Sequence, residues 1–302
     1  MKPIFIGSGV AIITPFGKDG KINYGLFSKL IDIQILNDTD AIIVCGTTGE
    51  GSTLTTAERL KLFTVAVEKV AGRVPVIAGT GSNSTSFSAA FIREAEKTGI
   101  DAHLSVTPYY NKASQNGLIK HYLALAETAE KPIILYNVPS RTGVNIAPET
   151  YAALSDHENI VAVKEADTSI VKLQKSISMC GDKLDFYSGN DDMTVASCLV
   201  GAKGVISVLS NVLPRFVHNM TMSAVNGDIR RANSMQAEVQ MLIDALFIDV
   251  NPIPVKYLLG KILSKKLYYR LPLCEPGTED VKILDKNYIY YKEYISKEFN
   301  RL

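Results

Sequence analysis

Ile160, Val161, Ala162 and Val163 run directly into Lys164 and Glu165. Four consecutive apolar residues read as a short strand buried on both faces, the pattern of parallel sheets. A lysine at the end of such a strand needs a physical reason, because lysine is almost never buried without a partner or a purpose. Burial disfavours the ammonium form, and a neutral amine near pH 7 is what imine chemistry on a carbonyl substrate requires. Taken alone, the segment fits equally well a lysine that snorkels from the strand end to solvent.

Other chemistry-bearing groups stand at the ends of similar apolar runs. Thr47 and Thr48 lie in GTTGEG (46–51), Tyr110 in TPYYN (107–111), Tyr136 and Arg141 in YNVPSRTG (136–143), Gly189 in SGNDD (188–192), and Ile206 in GVISVLS (204–210). The paired threonines and their backbone N–H groups suit a carboxylate, and the glycines beside them let backbone approach a small ligand. The Tyr136 hydroxyl is able to donate and accept a proton, and the planar fork of Arg141 suits a second carboxylate. Each also has a plain structural account: a turn, a core tyrosine with a satisfied hydroxyl, a solvated arginine.

A frame that gathers these groups is visible in the spacing. Eight apolar segments recur, at 9–15, 40–46, 74–80, 102–108, 132–139, 160–166, 184–190 and 204–210, with helical stretches between them. Thr55 and Glu58 form a capping box ahead of Leu60, Phe63, Val67 and Val70, and Gly72 stops that helix. Phe27, Leu30, Ile31 and Ile35 mark an apolar face between the first two strands; Ile119, Tyr122, Leu123 and Ala126 do so between the fourth and fifth. Eight β-α units in order predict an α/β fold, a closed (β/α)8 TIM barrel, whose active site lies at the C-terminal ends of the strands. An open doubly wound sheet would carry G-x-G-x-x-G after its first strand, where this chain has Thr14-Pro15-Phe16-Gly17. Beyond about residue 212 the strands stop. Pro214 opens one helix, Ile229 to Leu246 mark a longer one, and Val281, Leu284, Tyr288, Tyr291 and Ile295 predict a last, tyrosine-rich helix. The expected division is a barrel over 1–225 and a C-terminal helical appendage over 226–302.

Composition removes several classes. With a net charge of +1 and no basic run, nothing points to nucleic acid or a membrane surface. No apolar stretch is long enough to span a bilayer, and the N-terminus lacks the charge cluster and cleavage site of a signal peptide, so a cytoplasmic protein is expected. Cys45, Cys180, Cys198 and Cys274 are scattered, as are His103, His121, His157 and His218, so neither disulfides nor a metal site is expected.

In combination, GTTGE, TPYYN, YNVPSRTG and the strand-six Lys164 resemble the dihydrodipicolinate synthase family of pyruvate-dependent class I aldolases, which also includes N-acetylneuraminate lyase. The resemblance extends through SGNDD, GVISV, NPIPVK (251–256) and LPLCE (271–275), nearly the whole chain. It implies condensation of pyruvate with L-aspartate 4-semialdehyde through a Schiff base on Lys164. The product is 4-hydroxy-tetrahydrodipicolinate, at the first committed step of diaminopimelate and lysine biosynthesis, and no cofactor is needed. By the same resemblance Tyr136, Thr48 and Tyr110 are the proton relay, Thr47 holds the pyruvate carboxylate, Arg141 holds the semialdehyde carboxylate, and Gly189 and Ile206 line the imine. Tyr110 would serve a neighbouring subunit's site, implying a homotetramer built as a dimer of dimers. The alternative is an N-acetylneuraminate lyase or a 2-keto-3-deoxy sugar-acid aldolase of the same family; the sialic-acid lyases lack the arginine and usually carry serine in place of Thr47, so both positions favour the synthase. A non-catalytic paralogue would not need Lys164 and Tyr136.

Three departures accompany the resemblance. Thr168 replaces a family glycine just after the lysine, within Asp167-Thr168-Ser169, so a different backbone path is expected there. Asn190 replaces an aspartate. Lysine-inhibited members carry Ser, His, His and Glu where this chain has Gly51, Thr56, Arg59 and Phe87, while Asn83 and Tyr109 are kept. Weak or absent inhibition by lysine is therefore expected.

Overall fold

Alternation along a strand sends successive side chains to opposite faces, so Lys164 and Glu165 must diverge. In the computed structural model, which describes residues 2–299, they do. Eight strands, β1 (Gly7–Ala11), β2 (Ala41–Val44), β3 (Val76–Gly79), β4 (Ala102–Val106), β5 (Ile133–Asn137), β6 (Ile160–Glu165), β7 (Asp185–Ser188) and β8 (Gly204–Ser207), close in sequence order into a parallel barrel. β8 returns to β1, pairing Gly204 with Gly7 and Ile206 with Gly9. The predicted order and number of strands are those observed.

Ala162 and Ala166 belong to the buried cluster inside the barrel, with Tyr136, Ile43, Leu104 and Ile206. Ile160 and Val163 instead pack outward among helix residues such as Leu118, Tyr151 and Leu173. A register shift at Ile133/Ile134 makes that possible, since it lets both apolar residues of β6 face the helices. Phe5 fills the floor, its ring stacked on Tyr187 at 4.2 Å.

The strands are flanked by α1 (Tyr24–Leu36), α2 (Thr56–Val70), α3 (Thr85–Glu96), α4 (Gln115–Thr128), the single-turn α5 (Pro139–Thr142), α6 (Pro148–Leu154), α7 (Ile170–Cys180), α8 (Thr194–Leu199) and α9 (Pro214–Val225). The Thr55–Glu58 capping box starts α2 as expected. Its buried stripe runs through Leu62, Phe63, Ala66 and Val70, with Leu60 and Val67 only half-buried. Two adjacent stripes of this helix both read as apolar, and only packing selects between them.

The C-terminal helices are α10 (Ile229–Leu246), α11 (Ile253–Ile262), α12 (Thr278–Tyr290) and α13 (Lys292–Phe299). The single tyrosine-rich helix expected from the sequence is thus two, broken at Tyr291. That residue is fully buried and its hydroxyl donates to the Glu238 carbonyl at 2.8 Å. The break brings the Glu298 carboxylate onto the free N–H groups of Arg215 and Phe216 at the start of α9, at 2.8 and 3.0 Å. No helix among the described residues is long and apolar enough to cross a membrane.

Candidate active site

Lys164 reaches the barrel mouth from the end of β6 and is 6% exposed. Its partner across the ladder is Tyr136, and the Lys164 Nζ stands 4.4 Å from the centre of that ring. No ion pair or hydrogen bond engages this amine among the described residues. The aromatic face holds it in place while leaving its nitrogen free to react.

Glu165, pointing outward, is a structural counterpart to this reactive amine. Its carboxylate accepts from Asn137 Nδ2 (2.6 Å), the Tyr151 hydroxyl (2.9 Å) and the Asp167 N–H (2.9 Å), and pairs with Lys172 at 3.3 Å. Burial, and next the Glu165 charge, push the Tyr151 hydroxyl well above its ordinary range, so it stays a donor. The loop over Asp167-Thr168-Ser169 is absorbed by the same network. Thr168 is not among the residues with positive φ, Asp167 accepts from Asn145 at 2.8 Å, and Ser169 caps α7. The glycine is dispensable because this backbone path has no left-handed position to fill. Asn190 donates to the Asp167 carbonyl at 3.5 Å, closing the loop from the β7 side.

Thr47 and Tyr136 line one cavity of about 320 Å³, together with Cys45, Leu104, Val106, Tyr109 and Arg59. Thr48 is buried and differently employed: its Oγ1 accepts from Asn251 Nδ2 at 2.9 Å. The main-chain carbonyl of the same Asn251 accepts from Arg141 Nη2 at 3.2 Å. Asn251 therefore couples the loop after β2 to the α5 turn that carries Arg141. Gly189 donates its N–H to the Glu165 carbonyl at 2.6 Å, and a Cβ on it would stand 2.7 Å from Ala166 Cβ, so this glycine lets β7 close on the lysine strand. Ile206 contributes an interior side chain. Tyr110 stands apart from this group: it is 91% exposed, at a left-handed φ of 73°.

Several supporting residues escaped the sequence reading. Asp191 is buried and accepts from Ser207 Oγ (2.5 Å) and from the N–H groups of Val208 (3.0 Å) and Leu209 (2.9 Å), tying the end of β7 to that of β8. Burial pushes its carboxyl up while those donors pull it down. Glu50 and Lys256 form a fully buried ion pair that anchors the loop after β2 to α11. Lys256 follows directly on the apolar stretch Pro252 to Val255, the same anomaly that singles out Lys164, and could have been found by the same logic. Asn251 left no such local anomaly, only its place at the head of NPIPVK. No cluster of three or more potential metal ligands occurs among the described residues.

A closed parallel barrel with a free primary amine at its mouth is the frame used by carbon–carbon lyases that work through a lysine imine. Comparison with known proteins narrows this class. Residues 4–287 match the model of the dihydrodipicolinate synthetase family. A 4-hydroxy-tetrahydrodipicolinate synthase of Thermoanaerobacter sp. (strain X514) is 47% identical over 98% of this chain and 97% of its own. The crystal structure of dihydrodipicolinate synthase from Aquifex aeolicus superposes with a TM-score of 0.93 at 42% identity, covering 95% of this chain and 98% of that one. A structure described as the first monomeric dihydrodipicolinate synthase variant aligns at 38% identity with a TM-score of 0.92, covering 99% and 98%. The chain belongs to the dihydrodipicolinate synthetase family.

Proposed function

We propose that this chain condenses pyruvate with L-aspartate 4-semialdehyde to give 4-hydroxy-tetrahydrodipicolinate. The observation that carries the proposal is the unpaired Lys164 amine, seated over Tyr136 at the mouth of a barrel of this family. The amine adds to the pyruvate ketone and water leaves, forming an iminium. The iminium acidifies the adjacent methyl, whose proton departs to give an enamine. That carbon attacks the aldehyde, which takes up a proton as it becomes a hydroxyl. The amino group of the second substrate then attacks the imine carbon, releasing Lys164 and closing the ring.

The proton steps need hydroxyls near the amine, and Tyr136, whose ring lies against that amine, is the first candidate. The cavity wall shared with Tyr136 supports Thr47 as the next hydroxyl of the relay. The tie from Asn251 supports Thr48 as the fixed carboxylate-binding group, beside Arg141 for the semialdehyde carboxylate. This division exchanges the two threonines relative to the sequence expectation. Gly189 and Ile206 shape the wall near the imine. The strained, uncovered Tyr110 supports a homo-oligomer, a tetramer by family resemblance, in which Tyr110 completes a neighbour's relay. The working division assigns the barrel to residues 1–225 and a helical region to 226–302, the latter lending Asn251 and Lys256 to the site. The proposed location is the cytoplasm.

Incubation with pyruvate and borohydride tests the first step. A reduced pyruvyl adduct is expected on Lys164 and is lost in Lys164→Ala; an unchanged mass rejects the imine. A coupled assay offering the semialdehyde or a keto sugar acid then separates synthase from lyase. Mixing inactive Tyr110→Phe and Lys164→Ala chains should restore part of the activity if Tyr110 acts across an interface.

A further inference from the structure

Four carboxyl groups are buried among the described residues, those of Glu50, Glu165, Asp191 and Glu298. Glu50 is paired with Lys256 and Glu165 with Lys172, and Glu298 receives the N–H groups that open α9. Asp191 has no lysine, arginine or histidine in contact among the described residues. Its side-chain partners are neutral donors: Ser207 Oγ to one oxygen, the N–H groups of Val208 and Leu209 to the other. Ser207 Oγ itself accepts from the Ser210 N–H at 2.9 Å, which leaves its own proton for Asp191. A carboxyl that receives three donors and gives none is built to be ionised. Burial pushes its pKa up, and those donors together with the charge of Lys164 oppose that shift.

Asp191 stands two residues beyond Gly189, whose N–H is bound to the carbonyl of Glu165, the residue after Lys164. From α10, Gln236 donates to the Asp191 main-chain carbonyl at 3.1 Å, and Asp192 beside it is exposed. Lys164 is the complementary case, a buried amine with no acid in contact, flanked on the ladder by Tyr136 and Tyr187. An iminium there is a buried cation, and a buried cation needs an opposite charge.

We propose that the Asp191 carboxylate is the fixed countercharge for the cation that forms at Lys164, acting across the end of β7 without touching it. This rests on the imine chemistry proposed above. In a low-dielectric interior the field of a carboxylate reaches well beyond contact distance. Separation has a chemical use: an acid in contact would engage the amine, whereas a distant one steadies the iminium and leaves the nitrogen open to the ketone. The enamine that follows is neutral, so the same charge favours the iminium over the enamine.

Asp191→Asn removes the charge at nearly constant volume. Two quantities read the effect: the pyruvate concentration that half-saturates borohydride trapping, and the exchange of pyruvate methyl hydrogens for deuterium at saturating pyruvate. An ammonium in the free chain draws on the same countercharge as the iminium, and a neutral amine does not. The loss of pyruvate affinity should therefore grow with pH between 7 and 10 and reach roughly tenfold. Exchange at saturation should be unchanged or faster. Ser207→Ala cuts the tie between β7 and β8 but keeps the charge, and should behave as the wild type in both assays. Infrared difference spectra of the wild type, with the Asp191 band assigned by its shift in Ser207→Ala, should show an ionised carboxylate at pH 7 and need no Asp191 variant to fold. A pH-independent loss or slowed exchange in Asp191→Asn, the same defects in Ser207→Ala, or a protonated Asp191 at pH 7 would overturn this inference alone. Failure of the wild type to trap pyruvate would overturn the imine reading and this inference with it.

Discussion

Replacing Lys256 by methionine isolates the cost of holding the loop after β2 in place. Lys256 and Glu50 both have fully buried side chains. The ammonium also donates to the Tyr268 carbonyl at 2.7 Å and lies 4.4 Å and 5.0 Å from the Phe16 and Tyr269 ring centres. Burial pushes the Glu50 carboxyl up and the Lys256 ammonium down, with their mutual attraction opposing both shifts. Desolvation thus outweighs pairing, and the pair serves to position the loop more than to stabilise the fold. Lys256→Met strands a carboxylate whose Oε2 already lacks a partner, and a loss of about 3–5 kcal/mol follows for one broken buried pair. At about 2 °C per kcal/mol, the low end for large domains, melting falls by roughly 6–10 °C. Glu50→Gln combined with Lys256→Met removes both charges at nearly constant volume, and should recover at least about 2 kcal/mol relative to the single Lys256→Met change. A carboxyl raised in the folded state destabilises the fold progressively above its unfolded pKa of about 4.3 and fully above its folded one, so the Lys256→Met deficit should shrink as pH falls through the raised folded value towards about 4.3. Urea midpoints for the wild type, both single variants and the double variant measure the coupling at each pH. Additive losses, or a deficit independent of pH, would refute this account of the pair.

Three further outcomes are expected. Asn251→Ala leaves the main-chain bond to Arg141 but removes the donor to Thr48, so kcat/KM should fall about tenfold, near 1.4 kcal/mol, in steady-state assays. The Asp40 carboxylate, 2.8 Å from His218 Nδ1, raises the histidine pKa, chiefly through that hydrogen bond. Its stabilisation is full below about pH 6.5 and is lost as pH rises through the raised folded value; His218→Gln should remove this slope, worth less than about 1 kcal/mol, from urea midpoints taken between pH 6 and 8. Gly204→Ala would place a Cβ 1.9 Å from the Gly7 carbonyl oxygen at the β1–β8 seam, and a loss of about 3 kcal/mol or more should appear as a lower urea midpoint.

Local chemistry alone determined the eight strands, their order, the capping box on α2 and the singularity of Lys164, because each is written in a short periodic pattern or in one residue type out of place. The family motifs single out Tyr136, Arg141 and the threonines from sequence alone. What the sequence left undetermined are relations between segments far apart in the chain. Asn251 lies 203 residues from Thr48, and Lys256 lies 206 from Glu50, yet both pairs are in contact. No periodicity records such a meeting, since it arises only when the helices beyond the barrel fold back over its mouth. The break at Tyr291 is equally tertiary: its spacing is compatible with one continuous helix, and burial of that hydroxyl against α10 ends it. That Thr47 faces the cavity while Thr48 is tied to Asn251 was invisible for a related reason. Neighbouring residues in a loop share every local property, and only the surrounding walls distinguish the one that faces a cavity from the one that is tied down.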